Sequence, residues 1–397
     1  MTVFHRPQRL KFGIFMAPFH RVGENPTLAL ERDLEIVEHL EKLDFDEVWF
    51  GEHHSAGWEI IASPEVMIAA AGQRTKKIKL GTGVSSLPYH HPFMLADRMS
   101  QLDHLTRGRA MLGAGPGALT SDAFQMGIDA LTQRRRMDES LSAIMPLLRG
   151  ETVSMETDWF TLRDARLQLA PYAQPHLDVA AASSFSPSGP MATGKHGIGM
   201  LSVTSSQPGG MTNAAGSWKI AEENAAKHGK TVSRANWRVL IAMHLAETRE
   251  QARKDIDEGC YHFYTEYFGN TLGSPIGKDF TVQSMIDSGG LIVGTPDDAI
   301  EAVERIFEIT GGFGTLLFNA HEWTTWEKTK HSYELWARYV APRFQGQFNA
   351  IQANQQWVAG QRAAIFAPAQ AAISQAFADA GIEIPAEAVE RMNRGRT

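Results

Sequence analysis

The stretch Phe45-Asp46-Glu47-Val48-Trp49-Phe50-Gly51-Glu52-His53-His54 decides the fold class of this chain. Its apolar centre, Val48-Trp49-Phe50, predicts a short buried strand, and an acid and two histidines follow where that strand ends. A helical pattern over residues 27 to 43 comes directly before it. Enzymes with alternating helices and strands place ionisable side chains at such strand ends, because the scaffold is rigid and the strand end is open to a ligand. The stretch therefore predicts an α/β scaffold with a site at its strand ends.

The same alternation of strand and helix continues along most of the chain. We predict strands at residues 12–16, 47–51, 78–84, 109–112, 177–182, 199–203, 237–244 and 314–318. A helical pattern follows each of them, and a further helix begins at Thr295-Pro296-Asp297-Asp298 and ends at Gly311-Gly312. Eight strand–helix units predict a (β/α)8 TIM barrel, although a doubly wound open sheet is an alternative from pattern alone.

Three segments depart from this rhythm. Residues 151–176 predict an inserted hairpin with strands at 159–162 and 166–169, and the Gly-, Ser- and Thr-rich residues 268–292 predict a long loop. Long loops at the active face of a barrel are commonly lids or binding loops. Residues 345–397 are rich in Ala and Gln and predict a helical arm that packs on the barrel or on a second subunit. We thus expect a barrel domain over residues 1–344 and an arm over 345–397.

Composition narrows the class of protein. The chain has 397 residues, of which 43% are hydrophobic and 21% charged, which fits a globular protein with a large core. A net charge of -7 argues against nucleic-acid binding. The single cysteine, Cys260, excludes an intramolecular disulfide, suits a reducing compartment and is interpreted as a packing residue. With neither a signal-like nor a membrane-spanning apolar stretch, the chain is predicted to be cytoplasmic and free of the membrane.

The ends of the predicted strands carry the candidate site residues. Residues 183–189, Ser-Ser-Phe-Ser-Pro-Ser-Gly, precede a helix, and a helix N-terminus with nearby hydroxyls can bind a phosphate, although ordinary serine capping is an equal alternative. Gly113, Gly115 and Gly117 would let a flat ligand approach the backbone. They also fit a loose dinucleotide fingerprint, but no helix opens directly after them, as that mechanism requires.

Paired histidines also raise the question of a metal. Adjacent residues on an extended segment point in opposite directions, so His53 and His54 cannot easily face one ion. We therefore predict no metal at this strand end. A structural role for His53 is the plain alternative to a catalytic one, since histidines at strand ends often serve only as hydrogen-bonded groups.

Taken together, these motifs resemble the bacterial luciferase-like family of flavin-dependent monooxygenases. The segment Phe45 to His54 is similar to the family signature G-F-D-x-V-W-x-x-E-H-H, with Asp44 in place of the usual glycine. The resemblance covers about residues 10 to 345. Further matching runs are Lys11-Phe12-Gly13-Ile14-Phe15, residues 79–84 with His91-Pro92, and Leu102-Asp103-His104-Leu105-Thr106-Arg107-Gly108-Arg109. Residues 319–323 and the long C-terminal extension are most similar to a limonene-oxygenating branch of the family.

The resemblance implies roles for individual residues. His53 corresponds to the active-site histidine, which would hydrogen-bond to the oxygenated flavin and move a proton, and His54 would support it. A non-prolyl cis peptide would join Gly83 and Val84 under the flavin ring. The phosphate would bind at Ser186, Ser188 and Gly189, and the loop with Gly115 and Gly117 would line the flavin. Luciferases proper often carry cysteine at position 115, so light emission is not supported and the pocket there is expected to be roomier.

The resemblance implies an FMNH2-dependent monooxygenase of the two-component type. A separate NAD(P)H:flavin reductase would supply reduced FMN. The protein would use it with O2 to oxygenate a small apolar substrate such as limonene, by 1,2-epoxidation. Because members of this family commonly form homodimers, we expect a homodimer. Plausible pocket walls are Phe15, Phe19, Trp58, Phe124 and Trp323. Two alternatives keep the same fold: an F420-dependent hydride-transfer enzyme and a flavin-storing protein without activity.

Overall fold

The computed structural model describes residues 4–17, 19–203, 205, 209–274, 280–387 and 389. It divides into two compact units, Met1–Gln345 and Gly346–Thr397. Parts of several predicted segments lie outside the described residues, namely positions 275–279 of the predicted loop and 388 and 390–397 of the predicted arm.

The strands found in the described residues are β1 (Lys11–Met16), β2 (Glu47–Phe50), β3 (Lys79–Thr82), β4 (Ser85–Ser86), β5 (Ala110–Gly115), β6 (Val153–Glu156), β7 (Thr161–Ala165), β8 (Asp178–Ser183), β9 (Gly199–Ser202), β10 (Trp237–Leu245), β11 (Leu291–Gly294) and β12 (Thr315–Asn319).

The α-helices of the first unit are α1 (Pro26–Lys42), α2 (Pro64–Arg74), α3 (Pro92–Thr106), α4 (Thr120–Gln125), α5 (Gln133–Leu148), α6 (Ser188–His196), α7 (Gly210–Lys227), α8 (Arg249–His262), α9 (Val282–Asp287), α10 (Pro296–Thr310), α11 (Trp326–Leu335) and α12 (Ala341–Gln345). Short 3-10 helices cover Leu87–Tyr89 and Arg234–Asn236, and π-helical segments cover Phe263–Thr271 and Trp336–Val340.

Eight parallel strands close into a barrel, which confirms the predicted (β/α)8 fold. The order around the barrel is β1, β2, β3, β5, β8, β9, β10 and β12, and β12 returns to β1. These are the eight strands that the sequence predicts. Closure rules out the open sheet, because an open sheet would leave two edge strands unpaired.

Two further short strands, β4 and β11, belong to the same sheet as the eight barrel strands. β4 continues the chain after β3 and pairs with the end of β5, and β11 pairs with the second half of β10. The first half of β10 pairs with β12 instead.

The predicted loop over residues 268–292 is partly wrong. Within the described residues it contains the end of the π-helical segment Phe263–Thr271, the helix α9 and the start of β11. The glycines and hydroxyl residues that predicted a loop form instead the ends of these short elements. At α9, for example, Thr281 caps the helix by accepting a hydrogen bond from the backbone N–H of Ser284.

The inserted hairpin exists, but its strands differ from the predicted pair. β6 pairs antiparallel with β7, and residues 166–169 form no strand. Leu167 is buried, although it lies outside any strand, so the apolar alternation of that run reflects burial rather than pairing. The helix that follows the eighth barrel strand begins at Trp326, where the side chain of Thr325 caps α11.

Helix ends follow local sequence rules where those rules are strong. Thr295 and Asp298 form a reciprocal capping box at the start of α10, with Pro296 in the first turn. Gly311 ends this helix with a φ of 74°, a conformation that glycine adopts without steric cost. The predicted start and end of this helix are both confirmed.

The barrel interior is apolar near its middle and ionic near its amino-terminal end. Its apolar side chains are Phe15, Ala17, Trp49, Met111, Ala180, Leu201, Leu240 and Leu317. Arg238, from β10, lies below them and contacts Glu47 at 2.9 Å and Asp178 at 2.6 Å, with its guanidinium 5.0 Å from the Trp49 ring. Burial alone would lower the pKa of Arg238, but the two carboxylates outweigh it and raise that pKa. The barrel is therefore filled, and its open face is the carboxyl end of the strands.

The second unit contains α13 (Asn349–Gly360) and α14 (Arg362–Asp379) in its described part. The absence of any strand there agrees with the helical character predicted for residues 345–397, within the described residues. Among all described residues, we find no helix with the length and apolar character needed to cross a membrane.

Candidate active site

His53 lies between two carboxylates at the carboxyl end of β2. Its Nδ1 is 3.2 Å from Oδ2 of Asp122, and its Nε2 is 3.0 Å from Oε2 of Glu59. Its backbone N–H donates to the carbonyl of Ile61, which fixes the chain at this point. The two carboxylates come from different places in the sequence: Glu59 precedes α2, and Asp122 lies on α4, directly after the glycine-rich segment.

This environment keeps the His53 ring charged. Burial alone would lower the pKa of His53, but the charges and hydrogen bonds of Glu59 and Asp122 outweigh burial and raise the pKa to about 10. At neutral pH both ring nitrogens therefore carry protons and donate toward the carboxylates. In this state His53 acts as a buried cation and cannot accept a proton.

Glu59 connects His53 to a group of aromatic side chains. The hydroxyl of Tyr267 donates a hydrogen bond to Oε1 of Glu59. Burial and the charge of Glu59 raise the pKa of Tyr267, so this tyrosine stays a neutral donor. Its ring packs in a cluster that we call the aromatic cap, made of Phe19, Trp58, Phe263, Tyr264, Tyr267, Phe268 and Trp323.

The aromatic cap is built largely by the π-helical segment Phe263–Thr271. Its rings meet at centroid distances of 4.7 Å for Phe19 and Phe263 and 5.4 Å for Trp58 and Tyr267. Short π-helical stretches are frequent at functional sites, because the extra residue per turn re-aims neighbouring side chains. Three of the predicted pocket walls, Phe19, Trp58 and Trp323, belong to the cap.

The other two predicted walls lie elsewhere. Phe15 belongs to the barrel interior, below the strand ends. Phe124 is 84% exposed on α4, so its assignment as a pocket wall is wrong. The sequence around Phe124 does not indicate that its side chain is exposed. The helix α4 has only six residues, and its buried apolar residue is Ala123.

His54 faces away from His53 and contacts a different acid. Its Nε2 is 3.0 Å from Oε1 of Glu52, and Nε2 of His90 is 2.8 Å from the same oxygen. The backbone N–H of Ser86 donates to the other oxygen of Glu52 at 2.7 Å. Burial alone would raise the pKa of Glu52, but these hydrogen bonds lower it. Glu52 therefore ties the end of β2 to the segment that follows β3.

That segment contains a cis peptide bond between Gly83 and Val84, as the resemblance implies. A Cβ on Gly83 would lie 2.8 Å from Cβ of Trp49, so only glycine fits there. Val84 packs against Gly115, where a Cβ would overlap its Cγ2 atom. The space beside Gly115 is thus filled by Val84, and the expectation of a roomier pocket at this position is wrong.

Gly117 has a different reason to be glycine. Its φ of +88° is strained for other residues, and a Cβ would lie 2.7 Å from Nε2 of Gln133 and overlap the Tyr89 hydroxyl. Gln133 donates to the carbonyl of Pro116 at 2.9 Å, which holds the turn in place. Gly113 and Gly115 belong to β5 rather than to a loop. The glycine-rich segment therefore carries the chain from β5 to Asp122.

The serine-rich segment after β8 forms an open helix N-terminus. Oγ of Ser186 is 2.8 Å from Oγ of Ser188, and Nε of Arg134 donates to Ser186 at 3.4 Å. Pro187 at the N-cap of α6 makes no side-chain cap, so the N–H groups of Ser188 and Gly189 in the first turn are available to a ligand. A Cβ on Gly189 would overlap the carbonyl oxygen of Ala182, which explains the glycine.

A second ionic cluster lies between the ends of β1 and β12. His20 lies 3.0 Å from Asp33 and 2.7 Å from Glu322, and Arg32 contacts Glu24 and Glu322. Burial alone would lower the pKa of His20, but the carboxylates raise it to about 9. His20, Glu24 and Glu322 come close enough to hold a metal, yet the protonated His20 and Arg32 already supply the positive charge. We interpret the cluster as an ion-pair network beside a cavity of about 270 Å³.

Cys260 lies buried on α8 in the cap region. Burial raises the pKa of its thiol to about 12. A neutral thiol is a poor nucleophile, so the interpretation of Cys260 as a packing residue agrees with its surroundings.

Sequence reasoning missed the partners that define the site. Asp122 lies 69 positions from His53 in sequence, and Tyr267 lies 208 positions from Glu59. Glu59 itself is only six positions from His53. The signal that could have found Asp122 is its place directly after the glycine-rich segment at a strand end.

A filled barrel, an ionisable site at its strand ends, an open helix N-terminus and an aromatic cap define an enzyme of the α/β-barrel class. The family model of the luciferase-like monooxygenases matches residues 10–312. Limonene 1,2-monooxygenase of Rhodococcus erythropolis is 48% identical over 342 residues, which are 85% of this chain and 87% of that protein. The 4-hydroxyprotoasukamycin monooxygenase of Streptomyces nodosus subsp. asukaensis is 47% identical over 362 residues, 89% of this chain and 97% of that one.

Solved structures share the fold. The oxygenating constituent of 3,6-diketocamphane monooxygenase from Pseudomonas putida, in complex with FMN, superposes with a TM-score of 0.72 at 24% identity, over 84% of this chain and 99% of that chain. An F420-dependent secondary alcohol dehydrogenase superposes with a TM-score of 0.62 at 19% identity, over 83% and 98%. The chain belongs to the luciferase-like monooxygenase family, and it is a flavin-dependent monooxygenase.

Proposed function

We propose that this protein is the oxygenase of a two-component system, which uses reduced FMN and O2 to oxygenate a small apolar substrate. The proposal rests on the link between the aromatic cap and His53. Tyr267 of the cap donates a hydrogen bond to Glu59, and Glu59 pairs with His53. The cap offers an apolar chamber wall, and the charged ring lies at its edge. The apolar character of these walls suits a monoterpene such as limonene, and a close relative is named for its action on limonene.

The residues present fit FMN. The first-turn N–H groups of α6, the hydroxyls of Ser186 and Ser188 and the guanidinium of Arg134 form a donor set suited to a phosphate. Gly189 keeps this turn close to β8. We expect Gly83 and Val84, with Gly115 and Gly117 behind and beside them, to line the flavin ring. When bound, the reduced flavin supplies O2 activation and oxygen transfer.

The protein's own residues supply charge, orientation and a dry site. His53 is a cation held by two carboxylates, and it can stabilise negative charge beside the ring once one of these carboxylates moves away. Neither of its nitrogens is free in this state, so direct hydrogen bonding to a ligand requires Glu59 or Asp122 to move away. The buried apolar side chains of the cap would limit the access of water to the side of His53 that faces Glu59.

Further parts of the proposal concern partners and location. A separate NAD(P)H:flavin reductase would supply the reduced FMN, in keeping with the relative that is described as an oxygenating constituent. Pairing into a homodimer and a cytoplasmic location are parts of the same proposal, the latter resting on the single, buried cysteine. A barrel domain over residues 1–344 and a helical arm over 345–397 are also parts of this proposal.

The test is reconstitution with and without a reductase. Purified protein, limonene, NADH and FMN should give an oxygenated terpene only when a flavin reductase is added. Product without reductase would contradict the two-component arrangement. Retention of F420 instead of FMN on a desalting column, together with no oxygenated product from a panel of terpenes, would favour the hydride-transfer alternative, whose solved examples share the fold.

A further inference from the structure

The two carboxylates that hold His53 are fixed in unequal ways. Both oxygens of Asp122 are engaged: Oδ2 with His53, and Oδ1 with the backbone N–H of His54 at 3.1 Å and the hydroxyl of Ser55. These partners all lie on the segment that carries His53 itself. The position of Asp122 therefore does not depend on the aromatic cap.

Glu59 is fixed by the cap. Its Oε1 accepts the hydrogen bond from Tyr267, while its Oε2 faces Nε2 of His53 and receives no hydrogen bond from another described residue. Tyr267 is itself held by ring contacts, at 5.4 Å with Phe19, 5.4 Å with Trp58 and 5.1 Å with Phe268. A displacement of these rings would move Tyr267 and release Glu59.

We propose that Glu59 and Tyr267 are positioning residues. Through them, the group that pairs with Nε2 of His53 depends on the position of the rings in the aromatic cap. When the cap is closed, Glu59 occupies Nε2 of His53. When a ligand displaces the rings of the aromatic cap, Glu59 moves away from His53. Nε2 of His53 is then free to donate a hydrogen bond to that ligand, while Asp122 keeps the imidazole oriented. The charged groups that face His53 are Glu59, Asp122 and, on its own segment, His54. This inference rests on the proposed function only where the displacing ligand is taken to be the substrate.

The test follows the titration of His53 by NMR, in ligand-free protein with labelled histidine. The His53 signal is assigned by its loss in His53→Asn. An opposite charge within hydrogen-bond reach shifts a pKa by about 1–3 units, so Glu59→Gln should lower the His53 pKa by more than one unit. Glu59→Asp, which keeps the charge on a shorter side chain, should recover part of this shift. An unchanged His53 pKa in Glu59→Gln would overturn the proposal.

The role of Tyr267 needs its own variants. Tyr267→Phe removes only the hydroxyl and should shift the His53 titration in the same direction as Glu59→Gln but less. Trp58→Ala, which loosens the cap without touching Glu59's hydrogen bond, should do the same. The matched control is Tyr261→Phe, which removes an exposed hydroxyl from α8 and should leave the titration unchanged. Wild-type titration in both Tyr267→Phe and Trp58→Ala would overturn the dependence on the cap.

These readouts separate the proposal from the proposed function. Circular dichroism and thermal unfolding establish that each variant is folded, and the titrations need neither flavin nor substrate. If the His53 pKa moves as expected but no terpene is oxygenated, the positioning stands and the oxygenase assignment fails. If limonene is oxygenated, the pH profile of kcat should shift in Glu59→Gln by the same amount as the His53 pKa, and a change in KM alone would contradict the positioning role.

Discussion

Val84 fills the space beside Gly115, so that two residues expected to line a flavin are in direct contact with each other. A Cβ at position 115 would overlap Cγ2 of Val84, and the backbone of β4, which follows Val84, pairs with β5 at Gly115. The glycine is thus needed for packing between neighbouring strands. The surface that we propose faces the flavin is therefore defined at this point by Val84, and not by an opening at Gly115.

Gly115→Ala should weaken FMN binding because the added methyl group pushes Val84 out of its place. Overpacking of this kind typically costs about 1–3 kcal/mol in stability. The matched control is Gly216→Ala on α7, where a Cβ would meet no atom within 4 Å, and where alanine should be neutral or stabilising. Thermal unfolding and fluorescence titration with FMN measure both effects. Equal FMN affinity and equal stability in the two variants would contradict this packing argument.

Arg134 should distinguish FMN from riboflavin. If the α6 N-terminus binds the phosphate, Arg134→Gln should weaken FMN binding about tenfold, since one charge-assisted hydrogen bond is worth about 1.5 kcal/mol. Riboflavin, which lacks the phosphate, should bind equally to wild type and variant. Arg135→Gln is the control, because Arg135 is exposed and paired with Glu139 and Asp158. A parallel loss of riboflavin affinity would show that Arg134 does not act through the phosphate.

The buried ion pair at the base of the barrel should matter more than surface pairs. Glu47→Gln removes the charge that faces Arg238, and both side chains are 1% exposed. Breaking one partner of a buried pair costs about 3–5 kcal/mol. Glu139→Gln, at an exposed pair, should cost less than about 1 kcal/mol. Urea unfolding of the two variants checks the contrast, and a small loss for Glu47→Gln would mean that Asp178 alone satisfies Arg238.

The His53 cluster predicts a pH dependence of stability with a defined sign. The folded pKa of about 10 lies above the unfolded value, which is about 6.5. The charged ring therefore stabilises the fold fully below pH ~6.5, and this contribution is lost as the pH rises through about 10. The stability difference between wild type and Glu59→Gln should be largest near pH 6.5 and shrink toward pH 10. A difference that stays constant or grows over this range in thermal unfolding would contradict the assignment of a charged His53.

His53→Gln should leave FMN binding within about threefold of wild type but lower product formation by about 100-fold or more, as expected for loss of a positioned, charged hydrogen-bond donor. The glutamine side chain still reaches the carboxylates and preserves the local packing. The measurements are an FMN titration and the initial rate of product formation. Wild-type turnover would remove His53 from the chemistry and leave it a structural residue.

The barrel could be predicted from sequence because each of its eight strands is a short apolar run followed by a helical pattern. β11 was missed because Leu291–Gly294 has four residues and follows a glycine pair that is typical of a loop. The hairpin was predicted in the right segment but with the wrong partner strand, since Leu167 is buried without pairing.

The site was predictable only in part. His53 and the serine-rich turn are local signals at strand ends, and the cis peptide at Gly83 followed from the family resemblance. The partners of His53 could not be derived, because Asp122 and Tyr267 reach the site through tertiary folding over long separations in sequence. The π-helical segment that carries Tyr267 has no distinct sequence pattern, so the aromatic cap appears only in the structure.

A single turnover with isotopically labelled oxygen tests whether the protein transfers an oxygen atom from O2 to a small apolar substrate. Protein is mixed anaerobically with one equivalent of chemically reduced FMN and limonene, and then with ¹⁸O₂, and the terpene product is analysed by mass spectrometry. If the protein is this oxygenase, we expect an oxygenated product that carries one ¹⁸O atom, in a yield that approaches the amount of reduced FMN. Reoxidation of the FMN without labelled product, in trials that extend to other small apolar substrates, would contradict it.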